Sequence, residues 1–378
     1  MADAVNNFEA IDTGNYLLEH YPGNDILWIT FDHAGLPEKI AVEERIGWAA
    51  PELIRYGWTV LAVKARKRDW FLKEDMARFF RSNQFRKIAE GKTRIILYGL
   101  SMGGFAALGY STMIPGSTVF AISPQTTLHP KKVPWEKRFS YAMGENWDGP
   151  FADIATLDPA HGEAFVLYSP LNKFDGPHVD RIHDFQPLTL LGLRGNAHVP
   201  GGMLKESGVL KKIVQALADG TFSEDYFASL QDDLEASAAY HYYVGWESED
   251  PEEREASLNK CLELAGDLRF DFYRQRVAGL RLRRAAEEKD SVAAIVAYHS
   301  LRLCNAWDAS PKLKIMTARM LLRAGETAAA REVITEIQEK HIEGHPKLLQ
   351  LIERCDEQEA EAKAEAASQA DQQEAQNG

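Results

Sequence analysis

The residues with the clearest capacity for chemistry are Gly99-Leu100-Ser101-Met102-Gly103-Gly104. They lie between the apolar run Arg94-Ile95-Ile96-Leu97-Tyr98 and the helix-forming Phe105-Ala106-Ala107-Leu108. The order is strand, G-x-S-x-G, helix. A sharp turn at that place exposes the hydroxyl of Ser101, and small residues on either side relieve crowding by the neighbouring chain. The helix that begins after Ser101 directs free backbone N–H groups and a positive dipole end at any developing oxyanion. A glycine-rich turn that only packed a helix on a sheet would not require serine at its apex. Ser101 is therefore the candidate nucleophile.

The elements that must position it occupy the first 220 residues, where short β-branched or aromatic runs alternate with longer amphipathic segments. That pattern predicts a largely parallel sheet with helices on both faces. Phe8–Asp12 and Tyr16–His20 are expected to open the sheet as a hairpin around Thr13-Gly14-Asn15. Ile26–Phe31, Thr59–Val63, Ile95–Tyr98, Ser117–Ile122, Ala164–Tyr168 and Leu188–Leu193 follow, making eight strands.

Ser101-Met102-Gly103-Gly104-Phe105-Ala106-Ala107-Leu108 resembles the nucleophile elbow of the esterase branches of the α/β-hydrolase superfamily, and the resemblance covers roughly residues 8 to 220. It implies a Ser-acid-His order, with the acid after the seventh strand and the histidine after the eighth. The loop after Ala164–Tyr168 then offers Asp175 as the acid. Asp180 is the rival, but it sits where the next helix should begin and a carboxylate more often faces solvent. The loop after Leu188–Leu193 offers His198 as general base. His183 precedes the eighth strand, and His178 is too close to Asp175 along the chain. The same resemblance implies an oxyanion hole made by the backbone N–H of Met102 and one from Phe31-Asp32-His33-Ala34-Gly35, with Ala34 favoured and His33 next to it. This loop departs from the more usual His-Gly start.

Two further loops leave the same edge. Lys64-Ala65-Arg66-Lys67-Arg68-Asp69-Trp70-Phe71 follows the fourth strand; Ser123-Pro124-Gln125 and then Pro130-Lys131-Lys132-Val133-Pro134-Trp135-Glu136-Lys137-Arg138 follow the sixth. Arg66, Arg68 and Trp70 are candidate contacts for an anionic or carbohydrate-bearing ester. The alternative is a solvated basic loop paired with acidic helices. Residues 124 to 162 are the only insertion large enough for a cap, and their shortness predicts a fairly open cleft.

The formal net charge of −13 opposes nonspecific binding to nucleic acid or anionic lipid. The first residues lack a signal peptide's basic start and apolar run, and no stretch approaches the ~20 apolar residues of a membrane span. A cytoplasmic protein is expected. Cys261, Cys304 and Cys355 show no spacing that would hold zinc, so buried structural thiols are expected and no metal site.

From about residue 223 helical periodicity takes over. Val292, Ile295, Val296 and Leu303 share a face, as do Leu313, Met316, Met320 and Leu321, and then Ala330, Val333, Ile334 and Ile337. Pro311 and Pro346 mark helix starts, and Gly325 and Gly344 helix ends. Lys289-Asp290-Ser291-Val292-Ala293-Ala294 and Ala324-Gly325-Glu326-Thr327-Ala328-Ala329 are faintly self-similar at an offset of 35 residues. These helical hairpins resemble tetratricopeptide repeats, although most of that family's aromatic signature is missing. The organisation expected is a catalytic domain over 1–222, a helical domain over 223–355 that binds a partner or self-associates, and an acidic tail over 356–378. The tail lacks large apolar residues and is expected to extend the last helix for a few turns and then be disordered.

The resulting expectation is hydrolysis of a carboxylic ester or thioester through an acyl-enzyme, with no metal or organic cofactor needed. Acyl transfer to a sugar or protein hydroxyl would use the same triad. A non-catalytic hydrolase-fold scaffold serving the helical domain is the reading from a different class.

Overall fold

The computed structural model describes residues 7–35, 40–195, 198, 200–339 and 346–377. Eight strands form one sheet: β1 (Glu9–Asp12), β2 (Tyr16–Tyr21), β3 (Ile26–Phe31), β4 (Thr59–Ala65), β5 (Arg94–Leu100), β6 (Thr118–Ile122), β7 (Glu163–Tyr168) and β8 (Leu188–Gly192). Their order is β1-β2-β4-β3-β5-β6-β7-β8, with β2 antiparallel to both its neighbours and every later pairing parallel. The central strands read as continuous apolar runs because both faces are covered. All eight expected strands are present, with ends that differ by one or two residues. The opening hairpin turns at Gly14, whose φ of 96° is one that a side chain rarely adopts.

The first compact unit spans Met1–Glu249. Its helices are α1 (Ala50–Leu53), α2 (Glu74–Phe80), α3 (Asn83–Ala89), α4 (Met102–Ser111), α5 (Asp175–Asp180), α6 (Gly201–Glu206), α7 (Val209–Asp219), α8 (Glu224–Ala228), α9 (Gln231–Glu235) and α10 (Ala238–Glu247). Its end lies beyond the boundary expected at 222, because α8 to α10 pack back onto the sheet and its loops. Phe222, just before α8, meets Phe165 of β7 edge-to-face, with ring centroids 4.8 Å apart, and Glu247 of α10 reaches the loops after β7 and β8.

The second unit, Asp250–Gly378, is helical: α11 (Pro251–Leu264), α12 (Gly266–Glu288), α13 (Ser291–Arg302), α14 (Ala306–Ala309), α15 (Pro311–Ala324), α16 (Thr327–Glu339) and α17 (Pro346–Asn377). Pro311 and Pro346 open helices as expected, whereas Gly344 lies outside the described residues. Two hairpins repeat. Lys289, with φ 57°, turns α12 into α13, and Gly325, with φ 88°, turns α15 into α16. The structural register is therefore 36 residues rather than 35, and it aligns Asp290-Ser291 with Glu326-Thr327 and the fully buried Ala294 with the fully buried Ala330.

The face expected to be buried on α13 is turned outward. Val292, Val296 and Leu303 are 75%, 61% and 70% exposed, while Ala294, Ala297, Tyr298 and Leu301 face the core. Small alanines win this position because α12 approaches closely through its own Ala278 and Ala285. All three cysteines are buried and unbridged. The acidic tail, expected to extend the last helix for a few turns, forms the C-terminal part of α17, with residues 360–370 exposed. Its Ala, Glu, Gln and Lys cannot build a core but are strong helix formers that prolong an already nucleated helix.

No helix among the described residues is long and apolar enough to cross a membrane. Nor does any group of three or more His, Cys, Asp or Glu there fit a metal ion.

Candidate active site

The turn at Ser101 follows from its glycines. A Cβ on Gly99 would lie 2.0 Å from the Gly103 carbonyl oxygen, and one on Gly103 would lie 2.5 Å from the carbonyl oxygen of Phe31. Both contacts are with backbone, which has little room to yield. The close approach lets the chain reverse from β5 into α4 while Ser101 takes φ 55° and ψ −117°, a conformation that costs about 1–3 kcal/mol outside glycine. Gly103→Ala is expected to lower stability by about 1–3 kcal/mol and to impair catalysis as well, because the displaced strand end leads into the loop of Ala34; thermal denaturation and an ester assay measure the two effects.

Asp175 begins α5 and is fully buried. Its backbone N–H donates to the Asn172 carbonyl at 3.1 Å, which fixes the loop after β7. His198 stands in the loop after β8 with φ 76°. Its Nδ1 is 3.0 and 2.9 Å from the two carboxylate oxygens of Asp175, and its Nε2 is 3.0 Å from Ser101 Oγ. Nδ1 must therefore carry the proton that Asp175 accepts, which leaves the Nε2 lone pair to receive the Ser101 hydroxyl. Residues as far as 97 positions apart thus meet in the hydrogen-bonded order that a nucleophile, a base and an orienting acid would need. Asp180 ends α5 with its side chain 75% exposed, and its ion pair is with His183.

The amides of Met102 and Ala34 have no hydrogen-bond partner among the described residues. Met102 is the first residue of α4, where no preceding carbonyl can reach it. His33 is partly buried; its Nδ1 accepts from the Gly35 amide at 3.0 Å, and burial lowers its pKa below the usual imidazole value.

The three candidate substrate contacts part company. Arg66 donates to Asp12, Glu43 and the Gly14 carbonyl, so its charge is already satisfied by carboxylates, as in the alternative reading. The Arg68 guanidinium lies 5.6 Å from the ring centroid of Tyr141. Trp70 is fully buried and donates from Nε1 to Gln125 Oε1 at 3.2 Å. That same oxygen lies 3.2 Å from Ser101 Oγ, so the single hydroxyl proton is contested by Gln125 and His198. Ser101 is only 5% exposed, which makes the nucleophile more enclosed than the short insertion implied. The ring of Phe139, from that insertion, lies 6.1 Å from the His198 ring.

Residues 124–162 also deliver a buried charge network. Arg138 Nη2 donates to Asp175 Oδ1 at 2.8 Å and to Glu136 Oε2 at 2.6 Å. Glu136 also meets His178 Nε2 at 3.3 Å, and the Thr126 amide donates to His178 Nδ1 at 3.2 Å. His178 is therefore the Nε2–H tautomer, and burial holds its pKa below the usual value. Although burial alone would raise it, the Glu136 carboxyl is brought down to about 2 by hydrogen bonds from His178 and Arg138 and by the Arg138 charge. Arg181 continues the chain to Thr126 and Asp153, and Lys132 pairs with Asp153 at 2.9 Å. Lys132 and Arg138, two of the cations that read from sequence as a substrate-attracting loop, thus pair with internal carboxylates.

A second brace comes from α10. Glu247 accepts from Ser169 Oγ in the loop that carries Asp175 and, at 2.6 Å, from the Gly195 amide in the loop that carries His198. Glu247→Ala is expected to lower kcat several-fold with a smaller change in KM, since both loops lose their shared anchor; steady-state kinetics on an ester would show it.

Gln125, Arg138 and Glu247 carry no motif, and the sequence signal for them was limited to the loops in which the first two stand.

No protein-family model and no curated protein matches the chain. Solved structures similar to it include the capsule O-acetyltransferase of Neisseria meningitidis serogroup A, at 15% identity, TM-score 0.41, over 55% of this chain and 94% of that one. An α/β hydrolase enzyme from the metagenome of Mar Chica lagoon sediments, Morocco, is similar at 13% identity and TM-score 0.36, over 55% and 96%. Carboxyl esterase 2 from the mycorrhizal fungus Tuber melanosporum is similar at 13% identity and TM-score 0.38, over 57% and 84%. The sheet order, the antiparallel β2 and the strand-turn-helix at Ser101 give this chain the α/β-hydrolase fold, followed by an all-α unit of helical hairpins.

Proposed function

We propose that the chain is a serine hydrolase acting on a carboxylic ester or thioester through an acyl-enzyme. The observation that carries this reading is the continuous line from Asp175 through His198 to Ser101, with hydrogen-bond distances of 2.9 and 3.0 Å. Ser101 Oγ attacks the carbonyl carbon while His198 Nε2 takes the hydroxyl proton. The carbonyl oxygen becomes an oxyanion facing the amides of Met102 and Ala34. Collapse breaks the bond to the alcohol or thiol, which leaves with the proton from Nε2. Water then enters, loses a proton to His198 and releases the acid. Asp175 holds the imidazole and stays ionised throughout.

A fluorophosphonate probe tests the reading. Labelling is expected on the native chain and absent from Ser101→Ala; a native chain that stays unlabelled would return the protein to the scaffold reading. Product analysis with added sugar or polyol then separates hydrolysis from acyl transfer to a hydroxyl acceptor. We read the second unit as an interaction module, a view supported by the exposed stripe Val292, Val296 and Leu303 on α13.

A further inference from the structure

A cavity of about 680 Å³ opens on the face of the sheet opposite α4. Gly99 faces α4, so its strand neighbours Tyr98 and Leu100 point the other way, toward α7 and α1. With four residues and one following 3-10 turn, α1 is too short to close that face. The resulting wall is apolar, built from Leu53, Leu100, Ile122, Leu210 and Val214. Two other lining residues belong to catalytic segments: His33 precedes Ala34, and Gly201 opens the helix that follows the His198 loop.

Apart from the Glu52 carboxylate, the charged groups that line this cavity are donors. Tyr98 is 4% exposed, and its hydroxyl has no hydrogen-bond partner among the described residues. His33 uses Nδ1 as acceptor, which leaves Nε2–H as a donor. Arg55, Lys205 and Lys211 supply three positive charges against the single carboxylate Glu52, which already accepts from Lys205 at 2.8 Å and from Arg55 at 3.3 Å. Lys211 has no carboxylate partner among the described residues. A cation would be repelled by this excess of positive charge at the rim, whereas an anion would find Lys211 there without a competing carboxylate.

We propose that this cavity binds a medium-chain aliphatic carboxylate, with the hydrocarbon on the Leu53–Val214 wall and the carboxylate among Lys211, its neighbouring cations and the Tyr98 hydroxyl. The volume lies within the range of small-molecule sites. The site does not require Ser101 to be catalytic. An occupant touching His33 and Gly201 would lie against both segments that lead to the triad.

Isothermal titration of the full chain carrying Ser101→Ala, with hexanoate, octanoate, decanoate and decanol, tests the proposal without turnover. One decanoate is expected to bind per chain, with affinity rising about threefold per methylene from hexanoate upward. Decanol should bind about tenfold more weakly than decanoate, and Lys211→Glu and Tyr98→Phe should each weaken decanoate several-fold. Leu210→Trp and Val214→Trp fill the cavity and should weaken decanoate about tenfold or more. Leu210 is less buried than Val214, so that variant keeps the test open if Val214→Trp fails to fold, as circular dichroism would reveal. Absence of saturable binding at millimolar decanoate, equal binding of decanol, or binding indifferent to Leu210→Trp would each overturn the proposal. Loss of fluorophosphonate labelling on the native chain, by contrast, would strike only at the serine-hydrolase reading.

Discussion

Replacing Ser101 by alanine is expected to abolish fluorophosphonate labelling and to lower kcat/KM for ester cleavage on the order of 10⁵- to 10⁶-fold, the scale on which triad members act as one unit. His198→Ala should fall by a similar factor, and the double variant should fall little further, because the base has no function without the nucleophile it serves. Stability discriminates among nucleophile variants. Ser101 holds φ 55° and ψ −117°, which alanine tolerates no better than serine, so Ser101→Ala should melt near the native temperature. Ser101→Gly removes the strain, and it should raise stability by about 1 kcal/mol while leaving the protein inactive. Retention of a native rate by either variant would refute the assignment of Ser101.

Arg138→Leu carries the second-largest expected effect. The arginine lies between two fully buried carboxylates, Asp175 and Glu136, and bonds to both. Removing it leaves like charges facing each other without a cation, and breaking a buried pair in this way typically costs about 3–5 kcal/mol. Activity should fall as well, since Asp175 loses the bond that fixes its rotation beside His198. Adding Glu136→Gln should restore much of the stability without restoring the rate. Recovery of both together would show that Arg138 acts only through folding.

The pH dependence follows from the same group. With its carboxyl lowered in the fold to about 2, Glu136 contributes stability that is fully present above its unfolded pKa near 4.5 and is lost as pH falls through that value toward 2. His178 works in the same direction, because burial favours its neutral form and stability is lost as pH falls below the ordinary imidazole range. The stability difference between the native chain and Arg138→Leu should therefore narrow as pH falls from 7 toward 4, where the carboxyls left without a cation become protonated, and urea denaturation at a series of pH values would measure it.

The sheet was legible because its parallel strands are buried on both faces and so appear as unbroken apolar runs, and because the glycines around Ser101 are demanded by local geometry. Ser101 was legible in its glycine-flanked turn, and Asp175 and His198 in the strand order that the hydrolase resemblance implies; His198 lies within hydrogen-bond distance of the other two. Gln125 and Arg138 were not legible, since their roles arise from an insertion without regular secondary structure that folds over the sheet edge. Sequence left open whether Arg66 meets substrate or carboxylates for a related reason: its partners Asp12 and Glu43 lie far upstream, and a run of cations in sequence does not reveal whether carboxylates answer it in space. On α13 the most apolar stripe, Val292, Val296 and Leu303, lost the inner position to alanines, because the approach of α12 selects size before hydrophobicity.

Glu247 has a consequence for the order of events during synthesis. A chain synthesised only as far as residue 222 already holds Ser101, Asp175, His198 and every strand of the sheet, yet it lacks the carboxylate that ties Ser169 to Gly195. Domains fold largely as they emerge from the ribosome, so the sheet can close before its catalytic loops are anchored. The two loops are then tied together only when α10 appears, and a chain cut before Glu247 is expected to keep its sheet while Ser169 and Gly195 lose their shared anchor.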